Sequence, residues 1–67
     1  MGWSYKPLWK LLIDKGLKKT DLIKLAKLSP TTLAKLSKNQ SIDGNTLERI
    51  CAALQCQPGD VIEYVQD

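Results

Sequence analysis

Apolar residues in this chain recur at intervals of three and four, and residues that start or stop helices bracket each run. The first run opens at Pro7, where a missing amide costs nothing, and closes at Gly16, which supplies a left-handed turn. Leu8, Leu11 and Leu12 mark its buried face, and Trp9 and Ile13 add a second apolar edge. A second helix starts near Lys19 or Thr20, carries Leu22, Leu25 and Ala26 inward, and ends around Lys27, with Leu28 as an inward-pointing turn residue. The third runs from Pro30 to Lys38. Ser29 is its N-cap, Pro30 its first residue and Asn39 its left-handed stop. Only Leu33 and Leu36 are large and apolar there, so it meets the core along a thin stripe and exposes Thr31, Thr32, Lys35 and Lys38.

A polar loop from Gln40 to Asp43 leads to a fourth helix capped by Asp43 or Asn45, whose stripe is Leu47, Ile50, Cys51 and Leu54. A fifth helix is expected from Pro58, burying Val61, Ile62 and Val65, with Tyr64 alongside. No stretch alternates with period two, so no strands are expected. The fold class read from this pattern is all-α, a compact five-helix domain over residues 6–66. Residues 1–5 begin no periodic pattern and read as an N-terminal tail, part of which need not be native; no function is assigned to Met1-Gly2-Trp3.

Sixty-seven residues make one domain, close to the lower size limit for a core without staples. With 6% aromatic residues and no Phe, that core must be aliphatic. Cys51 and Cys56 are close enough in sequence for a disulfide to be conceivable. Cys51 lies on an apolar stripe and Cys56 in the turn after it, which favours two reduced, small core residues. There is no histidine, and two thiols alone make a poor metal site. The sequence contains no signal peptide, transmembrane run or lipidation motif. The expected setting is therefore cytoplasmic, with no cofactor, metal, membrane or small-molecule ligand.

Charge changes the picture. The overall +3 hides a strong asymmetry, since residues 1–38 carry +7 and residues 39–67 carry −4. A polyanion would meet the first half and avoid the second. The basic half contains two helices joined by a very short turn, which holds the third helix out from the body. A major groove about 12 Å wide admits such a helix, with its N-terminal residues nearest the base edges. Taken singly, each lysine reads as a solvated surface charge, and Thr31 and Thr32 as first-turn residues. Their joint placement on the one thin-striped helix favours double-stranded DNA as the partner.

The segments Leu17-Lys18-Lys19-Thr20-Asp21-Leu22, Leu28-Ser29-Pro30-Thr31-Thr32-Leu33-Ala34-Lys35-Leu36 and Leu47-Glu48-Arg49-Ile50-Cys51-Ala52-Ala53-Leu54 carry a resemblance. Together, over about residues 6–65, they resemble the Cro/CI-like (Xre-type) helix-turn-helix regulators of bacteria and their phages. The resemblance implies a lambda-repressor-like fold and a transcriptional regulator, in most cases a repressor. It puts Pro30, Thr31, Thr32 and Lys35 at base-facing positions. Lys19 would stand where the family often has a glutamine that braces a phosphate, with Lys18 beside it, and Lys38 and Asn39 where it often contacts the backbone. Four positions depart from the family pattern: Ile23 replaces alanine, Lys27 the turn glycine, Leu12 a phosphate-binding arginine, and Pro30 a side chain that hydrogen-bonds.

Catalysis is the weakest alternative, because no paired carboxylates, glycine-rich phosphate loop or ligand set is present. The stronger alternative is a protein-interaction module on the same fold, such as an antitoxin-like or regulator-binding protein, though that role does not need a +7 half. A homodimer through the C-terminal helix, on Val61, Tyr64 and Val65, is the expected assembly. Trp9 and Ile13 either complete the monomer core against Trp3, Tyr5 or the last helix, or join a dimer patch.

Overall fold

The computed structural model describes residues 2–66. In chain order it has strand β1 (Gly2–Ser4), helices α1 (Lys6–Asp14), α2 (Lys19–Ala26), α3 (Pro30–Ser37) and α4 (Gly44–Leu54), a 3-10 turn (Pro58–Asp60) and strand β2 (Glu63–Val65). The Cα radius of gyration is 11.0 Å, about what a single packed body of this length should have.

The four helices follow local chemistry closely. Pro7 lies in the first turn of α1, and Gly16 takes the left-handed conformation (φ 69°) that lets the chain turn back. At α2 the Asp21 carboxylate accepts the Lys18 amide at 2.9 Å, satisfying a donor at the helix start. Ser29 caps α3 by accepting the Thr32 amide at 3.2 Å, and Asp43 caps α4 by accepting the Thr46 amide at 2.8 Å. The Thr46 hydroxyl and amide hold the Asp43 carboxyl below the usual carboxylate range. Among the described residues, three non-glycine residues adopt left-handed conformations after helices: Lys27, Asn39 and Gln55. Asn39 tolerates this well; Lys27 does so at the position where glycine is the easier residue.

The core is aliphatic around one buried phenol. Leu8 and Leu12 of α1, Leu22 and Ala26 of α2, Leu28, Leu36 of α3, Ile50 and Leu54 of α4, and Val61 enclose Tyr5. Tyr5 is fully buried. Its hydroxyl donates to the Gln40 carbonyl at 2.6 Å and its amide donates to Asn39 Oδ1 at 3.2 Å. Burial pushes the phenol's pKa up. This one residue ties the start of α1 to the end of α3.

The structure corrects the sequence reading at both ends of the chain. Among the described residues no fifth α-helix forms. After the 3-10 turn, Val61 is buried, and the chain then extends into β2, which pairs antiparallel with β1 in the register Gly2↔Val65, Trp3↔Tyr64, Ser4↔Glu63. Branched and aromatic residues at 61–65 suit an extended chain, while strands of three residues are too short to display alternation. Residues 2–5 are therefore part of the fold and not a tail; Met1 lies outside the described residues. Trp3 and Tyr64 meet edge-to-face, their ring centroids 5.6 Å apart, a cross-strand pair that locks the register.

Three smaller corrections follow from packing. Leu25, expected inside, is 52% exposed and lines an open groove with Lys27, Arg49, Ala52 and Ala53, because the small alanines opposite do not enclose it. Ile13 is 76% exposed, so of the second apolar edge of α1 only Trp9 packs against the core. Val61 has no exposed surface, so a dimer face on a C-terminal helix containing it is ruled out. Cys51 and Cys56 are free, half-buried and packed against the core. Burial, with the neighbouring Cys51, pushes the Cys56 thiol up to about 11, which keeps it in the unreactive thiol form at neutral pH.

Candidate nucleic-acid interface

The segment linking α2 to α3 is Lys27-Leu28-Ser29. Lys27 reverses the chain in its left-handed conformation, Leu28 plugs into the core, and Ser29 starts the next helix. A three-residue corner anchored by a buried leucine fixes the start of α3 against α2. Beyond it α3 is held mainly by Leu36, its one buried residue, with Leu33 and Thr32 half-buried. Pro30, Thr31, Ala34, Lys35, Ser37 and Lys38 are exposed.

Thr31, Ala34, Lys35 and Lys38 recur at three and four residues, so they form one solvent-facing stripe with two lysines towards its C-terminal end. The sequence reading included Thr31, Lys35 and Lys38 but not Ala34, whose methyl side chain gave it no polar signal. Thr32 differs from its neighbours. Its amide donates to Ser29 Oγ, and its hydroxyl lies 3.0 Å from the same oxygen, so the side chain is engaged in the cap. Lys35 also lines a shallow cleft with Thr32, Ser41, Ile42, Asp43 and Thr46.

Lys18 and Lys19 are exposed at the start of α2. The Lys19 ammonium sits 4.4 Å from the centroid of the Trp9 ring, a cation–π contact worth about 0.5–1 kcal/mol at an exposed site. Trp9 is thereby accounted for. It packs half-buried on the core, with the Lys19 ammonium over its ring. At the other end of α3, the oxygen of the exposed Asn39 side chain accepts the Tyr5 amide, a bond that does not use its amide hydrogens.

Of the four departures from the family pattern, two are now explained. Lys27 supplies the turn by taking the glycine-like conformation, and Leu12 is simply core, 3% exposed. Among the described residues no group of three or more His, Cys, Asp or Glu side chains could hold a metal ion. No described helix is long and apolar enough to cross a membrane.

A chain with a capped helix pair, a short corner and a lysine-bearing outer helix has the form of a helix-turn-helix domain. Comparison with known proteins agrees. The model of the Cro/C1-type HTH DNA-binding domain family matches residues 7–67. The uncharacterized HTH-type transcriptional regulator YozG of Bacillus subtilis (strain 168) is 42% identical over 55 residues, covering 75% of this chain and 66% of that protein. This chain thus spans slightly less than two thirds of that relative's length. The crystal structure of the transcriptional regulator VanUg (form II) superposes with a TM-score of 0.94 at 42% identity, covering 98% of this chain and 88% of that one. The chain belongs to the Cro/C1-type helix-turn-helix DNA-binding family.

Proposed function

We propose that this protein is a sequence-specific transcriptional regulator that inserts α3 into the major groove of double-stranded DNA. The observation that carries this reading is the exposed stripe of α3, which combines a hydroxyl, a methyl group and two ammonium groups on a helix that the core holds along one narrow line. Thr31 and Lys35 are the principal base-facing side chains. Pro30 offers an apolar contact, for example to a thymine methyl, and Thr32 acts through whatever valence the cap leaves it. Lys18 and Lys19 at the start of α2, and Lys38 and Asn39 at the end of α3, hold phosphates on either side. Trp9 keeps the Lys19 ammonium from sampling its full rotamer range.

A single short helix touches few base pairs, so specificity needs two copies on a two-fold site, about one helical turn apart. Repression in the cytoplasm of a bacterium or in a phage-infected cell follows from occupying promoter DNA. The test is fluorescence anisotropy of labelled duplex DNA against salt concentration. Binding that weakens linearly on logarithmic axes, with a slope of about −0.9 per phosphate contacted and several phosphates in total, is the expected result. Binding indifferent to salt would sink the reading.

A further inference from the structure

The small sheet borders a concavity at the far end of α3. Its walls are Gly2, Trp3 and Ser4 of β1, Val65 of β2, Lys6 at the first turn of α1, and Lys38 and Asn39 at the end of α3. Among the described residues no acidic side chain lines it. Two lysines and an asparagine, with its side-chain amide, thus border one hollow.

That amide has a fixed orientation. The Tyr5 backbone amide can only donate, so the atom of Asn39 it meets at 3.2 Å is the oxygen, and the Nδ2 group is not used in that bond. Asn39 is further held by its left-handed backbone (φ 56°), and the neighbouring Gln40 carbonyl is gripped by the buried Tyr5 hydroxyl. Donors held this way lose little freedom on meeting an anion. Lys38 belongs both to this hollow and to the outer stripe of α3, so the two surfaces are continuous.

We propose that the hollow between β1 and the end of α3 is a cradle for one backbone phosphate of bound DNA. Lys6, Lys38 and Asn39 Nδ2 hold that phosphate jointly, and β1 forms its wall. The proposal rests on the DNA-binding reading above and adds to it Lys6 and the N-terminal strand, neither of which lies in the helix-turn-helix. A shared phosphate has a signature that separate contacts lack. Counterion release counts phosphates neutralised and not lysines engaged.

The experiment measures affinity for a random-sequence duplex as salt is varied, for the full chain and three variants. Lys6→Gln alone is expected to weaken binding roughly threefold or more, and Lys6→Gln with Lys38→Gln to flatten the salt slope by about 0.9, one phosphate's worth. Asn39→Asp keeps the acceptor for Tyr5 and the tolerance for a left-handed backbone. It should therefore retain the wild-type melting temperature while binding DNA more weakly. A Lys6→Gln protein that binds like wild type overturns the cradle and leaves the DNA reading intact. A double variant whose slope falls by about 1.8 means two separately held phosphates and likewise overturns it. Unweakened binding by Asn39→Asp removes the amide from the site and contradicts the proposal as stated. Wild-type binding without salt dependence sinks both readings together.

Discussion

Leu36→Ala is expected to leave this domain largely unfolded at physiological temperature. Leu36 is fully buried and is the only buried residue of α3. Truncating a buried leucine removes transfer energy and leaves a cavity, at a combined cost of about 2–5 kcal/mol. A domain of this size has a total stability on the order of 3–10 kcal/mol, so the loss is a large share of the whole. The same substitution at Ile13, 76% exposed, should change almost nothing. Thermal unfolding followed by circular dichroism decides the matter. The expectation is a melting temperature lowered by roughly 10–30 °C for Leu36→Ala, against a few degrees at most for Ile13→Ala. Similar small shifts for both would mean that α3 is not anchored where the fold anchors it.

The second large effect concerns specificity and leaves stability alone. Thr31 and Lys35 are both exposed, and neither side chain takes part in a helix cap, so Thr31→Ala with Lys35→Ala should fold as the wild type does. Each lost base contact costs about 1–3 kcal/mol of discrimination, so the pair should cost roughly 30-fold to 10⁴-fold in preference for the best site. Selection of bound sequences from random duplexes reads this directly. The wild type should enrich a two-fold symmetric site, and the double variant should enrich that site weakly or not at all while still binding duplex DNA. Thr32 is a poorer choice for this test, because removing its hydroxyl also disturbs the Ser29 cap.

The parts of the fold legible in the sequence are those decided within a few residues. Ser29-Pro30, Asp43 and Gly16 act on the chain beside them, and the helices they delimit stand where the caps put them. The stripe on α3 was legible for the same reason, since helical spacing alone brings Thr31, Lys35 and Lys38 onto one side. The sheet was not. It depends on Trp3 meeting Tyr64, and on Tyr5 reaching Asn39 and Gln40, across most or half of the chain. Three-residue strands leave no period to read, and the branched residues at 61–65 fit a helical stripe as well as an extended chain. Leu25 and Ile13 misled because spacing marks a face but not whether a neighbour is large enough to cover it. Lys6 carried no signal at all, since its role in the cradle depends on β1 being where it is.

In the proposed complex the outer stripe of α3 lies against base edges in the major groove. The measurement that meets it most directly is photocrosslinking to a duplex in which iodouracil replaces thymine, so that the reactive halogen stands where the thymine methyl projects into that groove. The crosslinked peptide is expected to contain residues 30–38, and the yield to collapse for the Thr31→Ala, Lys35→Ala protein on the selected site. Crosslinks mapping instead to α4 or to the 3-10 turn, with α3 unmodified, would contradict it.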